Sequence, residues 1–163
     1  MPRKTEQLQI RVTRRQKAAL RRLAASARQD LSSYVLSRSL PQNRLRFADL
    51  LRALEEEEYG SFALAELNDF LTGLSRVEFS EATAQADVSR LGDFVRCYVT
   101  AMVEEAAYQV GARPPSWTSD VPPLREPYFV TDLEGLRLHL LRESPVPFKR
   151  RNIFIDSSVG ARV

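Results

Sequence analysis

The sequence predicts a mainly α protein: one short N-terminal strand, two helices behind it, then a longer helical body. Three observations lead there. Residues 6–13 alternate apolar and polar side chains with period two, the mark of a half-buried strand. From about residue 14 to residue 110 the apolar residues recur at helical spacing. Between 112 and 130 the five prolines Pro114, Pro115, Pro122, Pro123 and Pro127 exclude a regular helix.

In the strand, Leu8, Ile10 and Val12 alternate with Gln7, Gln9 and Arg11. Thr13 is placed to cap a first helix over about 14–27, with Ala18, Leu20, Leu23, Ala24 and Ala27 on one face and Arg14, Arg15, Lys17, Arg21 and Arg22 on the other. Asp30 is a second N-cap, followed by Leu31, Tyr34, Val35, Leu36 and Leu40, and Pro41 stops that helix. Leu45, Phe47, Leu50, Leu51 and Leu54 predict a helix over 45–58. Phe62, Leu64, Leu67, Phe70, Leu71 and Leu74 predict another over 62–74. Ser80 is read as capping a further start, and a long helix is expected over 87–109, stopped by Gly111. The proline-rich stretch carries Trp117, Tyr128 and Phe129, which suits an ordered loop. A last helix is expected at about 132–142 and a short strand at Ile153-Phe154-Ile155.

The chain has 163 residues, 44% hydrophobic and 28% charged, a globular composition. No run of about 18 apolar residues exists, so no membrane partner is expected. The N-terminal Met1-Pro2-Arg3-Lys4-Thr5 is basic without an apolar core behind it, so secretion is not expected. One cysteine, Cys97, excludes an internal disulfide and suits the cytoplasm. Cys97 and the lone His139 are too few for a structural zinc site, so neither metal nor cofactor is expected.

The net charge of +3 is unevenly spread. Residues 1–46 hold 12 Lys and Arg against only Glu6 and Asp30, residues 47–111 balance at −9, and the remainder at +2. A strongly basic end points to a polyanion, and the acidic middle would repel one.

A lone strand of this length is not stable alone. The helices that follow offer it no neighbour, so the economical partner is a second copy of the chain. Two antiparallel strands would then form a ribbon presenting Gln7, Gln9 and Arg11 twice, and such a ribbon fits the major groove, where glutamine suits adenine and arginine guanine. The runs Gln7-Leu8-Gln9-Ile10-Arg11-Val12 and Ala24-Ala25-Ser26-Ala27-Arg28-Gln29-Asp30-Leu31-Ser32-Ser33-Tyr34-Val35-Leu36 resemble the ribbon-helix-helix family of Arc-like and MetJ-like repressors, and most closely its short antitoxins found with acetyltransferase toxins. The resemblance covers about residues 3–41. It implies a dimeric DNA-binding module over residues 1–43, with bases read by Gln7, Gln9 and Arg11. Phosphate would be held by Arg3 and Lys4 and by the second helix's N-terminus with Ser32 and Ser33. Where many members have a glycine at the hinge, this chain has Arg28 and Gln29, one of which must then accept a left-handed backbone.

Residues 44–163 are read as a helical partner-binding domain, with the proline- and aromatic-rich segment at 112–130. Its C-terminal part, marked by Trp117, Phe129, Leu136, Ser144, Pro145, Phe148, Arg150 and Arg151, is similar to that of bacterial antitoxin-like regulators paired with nucleotidyltransferase-like toxins. Aromatic and arginine residues dominate binding hot spots, so Trp117, Tyr128, Phe129, Phe148, Arg150 and Arg151 are the expected partner contacts. Glu55 to Glu58 and the pair Glu104-Glu105 read as solvated, and His139 as a structural or surface residue. No nucleophile, acid–base pair or phosphate loop can be assembled, so no catalytic residue is assigned. The expected function is an antitoxin that represses at operator DNA as a dimer and neutralises a cognate toxin. The alternatives are a regulator without a toxin, or an enzyme acting on nucleic acid.

Overall fold

Thr13 opens the first helix with a reciprocal capping box: its hydroxyl accepts the Gln16 amide, and the Gln16 side chain accepts the Thr13 amide at 2.9 Å. The computed structural model describes residues 9–39, 41–56 and 61–156, and the chain divides into two units after Pro41. Within the described residues it is mainly α, with eight α-helices and one two-stranded sheet.

In the first unit, α1 (Arg14–Ser26) packs against α2 (Leu31–Ser39). The turn between them is a Schellman cap. Arg28 donates to the Ala25 carbonyl and Gln29 to the Ala24 carbonyl, and Arg28 takes the left-handed conformation at φ 53°. Asp30 then caps α2, its carboxylate accepting the Ser33 amide at 3.0 Å. Ala24 is buried, while Ile10, Val12 and Leu23 are exposed. Gln9 to Val12 form no strand within the single chain, and residues 6–8 of the expected strand lie outside the described residues.

The second unit is built on α6 (Asp93–Gln109), which is buried on most of its circumference by Cys97, Val99, Ala101, Val103, Ala106 and Ala107. A helix apolar nearly all round belongs in a core. Around it, α3 (Gln42–Glu56) supplies Phe47, Leu50, Leu51 and Leu54, α4 (Ser61–Thr72) supplies Ala63, Leu67 and Leu71, and α5 (Arg76–Thr83) supplies Phe79 and Ala82. Ser75, not Ser80, caps α5. It forms a capping box with Glu78, while the Ser80 hydroxyl donates to the Arg76 carbonyl inside the helix. The long helix starts six residues later than the sequence suggests. The Asp87 carboxylate takes both the amide and hydroxyl of Ser89, which holds that segment in a turn, and Gly92 is the N-cap. Gly111, at φ 66°, closes α6 with the same Schellman pattern that Arg28 forms on α1.

From residue 112 to residue 156 the chain keeps a defined path despite its prolines. A 3-10 helix spans Ser116–Asp120. Strand β1 (Tyr128–Phe129) pairs in parallel with β2 (Ile153–Phe154), Tyr128 opposite Ile153 and Phe129 opposite Phe154. Between them lie α7 (Glu134–Glu143) and α8 (Val146–Lys149). Ser144 ties α7 to β2, its hydroxyl lying 2.7 Å from the Ile155 carbonyl and accepting the Ile155 amide. No helix among the described residues is long and apolar enough to cross a membrane.

Candidate functional site

The first unit presents the expected nucleic-acid surface only in part. Arg3, Lys4 and Gln7 lie outside the described residues. Gln9 and Arg11 are exposed just ahead of α1, and Arg14, Arg15, Lys17, Arg21 and Arg22 are exposed along it. At the start of α2, Ser32 is exposed and Ser33 half-buried. The Asp30 carboxylate already receives the Ser33 amide, so it occupies one donor that a phosphate at this helix start would use.

In the second unit, the six expected partner contacts separate into three groups. Tyr128 and Arg150 are exposed. Tyr128 packs its ring on Phe94 with centroids 4.5 Å apart. Trp117 and Phe129 are half-buried. The Trp117 indole donates to the Thr83 carbonyl at 2.9 Å, and Phe129 stacks on Phe154 at 4.8 Å with the Arg137 guanidinium over its ring. Phe148 and Arg151 are buried and hold the body together, which corrects their reading as surface contacts.

Arg151 follows α8, where Asn152 adopts a left-handed turn at φ 59° and donates from its side chain to the Leu124 carbonyl. That turn sends the Arg151 guanidinium inward. It donates to the Val121 carbonyl at 2.6 Å, the Thr118 carbonyl at 2.5 Å and the Glu104 carboxylate at 2.6 Å. One side chain thus fastens the 3-10 helix, the proline segment and α6 together. Glu104 is buried, not solvated as its sequence pairing with Glu105 suggests. Its signal was available: Cys97, Ala101, Glu104 and Ala107 recur along α6 at helical spacing, and a carboxylate among small core residues needs a buried cation. Nearby, the Cys97 thiol lies 3.2 Å from the Pro122 carbonyl, and burial pushes its pKa up.

His139 is exposed on α7. Among the described residues no three His, Cys, Asp or Glu side chains gather to hold a metal ion. An open cleft of about 510 Å³ lies along α3, with Phe47 and Leu51 in its floor and Arg44, Arg52 and Arg90 at its rim. These arginines contact neighbours of their own: Arg44 Gln85, Arg52 Asp49 and Arg90 Glu55. No family model, no curated protein and no solved structure matches this chain.

Proposed function

We propose that the chain is a dimeric, operator-binding repressor of ribbon-helix-helix type, and an antitoxin whose helical body binds and blocks a toxin, nucleotidyltransferase-like or acetyltransferase. The observation that carries the DNA-binding part is the exposure of Ile10 and Val12, 62% and 44%, in a segment where they alternate with Gln9 and Arg11. Two exposed β-branched residues ahead of a basic helix favour burial, and pairing with the same segment of a second copy supplies it while keeping the polar row outward. The double Schellman-and-cap hinge at Arg28 to Asp30 fits the short helix–turn–helix that would cover such a ribbon. The toxin reading rests on the sequence resemblance of the C-terminal region and on the exposed Tyr128 and Arg150.

The test uses the full chain and the DNA upstream of its own reading frame. Ile10→Asp with Val12→Asp should abolish dimerisation in sedimentation and specific DNA retardation together. A variant that becomes monomeric yet binds the same DNA specifically rejects the ribbon. Co-expression with the adjacent reading frame tests the antitoxin part: rescue of growth by the chain supports it, and absence of any effect rejects it.

A further inference from the structure

Leu140 is the buried residue of helix α7, whose inner side is also fastened by Arg137 over the Phe129 ring and by Lys149 donating to the Arg142 carbonyl. At about 100° per residue, Leu138 points almost directly away from Leu140. Leu138 is 79% exposed, the largest value on this helix among its exposed leucines, and Leu141 is also exposed. Flanking Leu138 on the outward stripe are Gly135 and Leu141, three residues away on either side, and Glu134 and Arg142, four residues away.

This stripe is complementary to itself. In an antiparallel pair with a two-fold axis at Leu138, Gly135 lies at the level of the second copy's Leu141, and Glu134 at the level of its Arg142, about 6 Å from the axis. At that level the second copy's Arg142 lies over the position without a side chain, and its guanidinium is within reach of the Glu134 carboxylate across the seam. Among the described residues nothing requires a glycine at 135: its backbone is not left-handed, and a Cβ there would have no described atom within 4 Å. Among the described residues, Arg142 pairs with its exposed neighbour Glu143 at 3.2 Å, a surface contact that leaves it available.

We propose that the outward stripe of α7 docks on α7 of a second copy, antiparallel about Leu138. The occupant is fixed by the charge order. A parallel pair would set Glu134 against Glu134 and Arg142 against Arg142, while the antiparallel pair opposes unlike charges at both ends and aligns the helix dipoles favourably. The contact is independent of the N-terminal ribbon, since it uses a different segment of the chain.

Disulfide trapping in the full chain tests it. Cys97 is buried, which keeps its thiol out of the reaction. Leu138→Cys, lying on the axis, should form a linked dimer about tenfold faster or more than the exposed control Glu126→Cys, because docking raises the effective concentration of the paired thiols. In the Leu138→Cys background, Glu134→Arg or Arg142→Glu alone should slow linking, and the two together should restore it. Circular dichroism checks that each variant stays folded. If Leu138→Cys links no faster than the control, or the double charge exchange links no faster than either single variant, the pairing is wrong. Failure of the ribbon would appear instead as lost DNA binding with linking at position 138 intact.

Discussion

The Arg151 guanidinium reaches across 47 residues of sequence to the Glu104 carboxylate, 2.6 Å away, with both side chains less than one-tenth exposed. Because the same guanidinium holds the carbonyls of Thr118 and Val121, this pair is the fastener between α6 and the proline segment. Removing one partner strands a buried charge. Glu104→Leu or Arg151→Met should each cost about 3–5 kcal/mol, and the double variant distinctly less than their sum. Chemical denaturation of the three variants measures it. Additive losses would mean that the two side chains do not depend on each other.

The left-handed backbone at Arg28 gives an opposite expectation. Gly111 occupies the equivalent cap position on α6, with the same two backbone hydrogen bonds. Arg28→Gly should therefore stabilise the first unit by several tenths to about 1 kcal/mol, and Arg28→Val should destabilise it, since a β-branched residue resists positive φ. The midpoint of the thermal transition reports both. A loss of stability with glycine would contradict the left-handed assignment.

How far the sequence foretold the structure follows from how local each signal is. The caps at Thr13, Asp30 and Gly111 are short-range patterns and fold as read, and the stripes of α3 and α4 form their helices, although their first members Leu45 and Phe62 are exposed. The Ser75-Arg76-Val77-Glu78 capping box is equally local, but the more central Ser80 drew the helix start five residues late. Two other features were not local. Arg150 and Arg151 are adjacent and chemically alike, and only the turn at Asn152 sends one outward and the other into the core. Strand β1 is two residues long and follows a proline, so no alternation announces it; it exists because β2 lies beside it. The expected N-terminal ribbon needs a second chain.

Stability should decline on the alkaline side. Burial raises the pKa of Cys97 and of Tyr98 above their ordinary values of 9.0 and 10.0, with Tyr128 adding to the rise at Tyr98. The folded state thus favours their protonated forms, and this contribution is full below the unfolded values and lost as pH rises through the folded ones. Unfolding free energy should fall from about pH 9 upward. Cys97→Ala should make the decline shallower, whatever it costs at neutral pH. At the acid end, hydrogen bonds from Ser75 and Ser89 lower Glu78 and Asp87, so their contribution is present above the ordinary carboxylate range and lost as pH falls through the lowered values. An unchanged alkaline slope in Cys97→Ala would remove the thiol from this account.

The partner surface can be separated from the core by substituting neighbours. Arg150 is exposed, so Arg150→Glu should change stability by no more than about 0.5 kcal/mol. Phe148 is buried against α6, where Tyr98 meets its ring edge-on at 5.2 Å, so Phe148→Ala should cost about 3–5 kcal/mol and says nothing about partners. If the proposed toxin docks near β1, Arg150→Glu and Tyr128→Ala should reduce its co-purification, with little change in thermal midpoint for the first and a modest fall for the second. That fall follows from the lost Phe94 contact, worth about 0.5–1.5 kcal/mol beyond its buried area. Arg150→Glu is the decisive member of the set, because it changes only a surface charge. A folded Arg150→Glu, Tyr128→Ala double variant that still captures and neutralises the toxin would exclude this face as the interface.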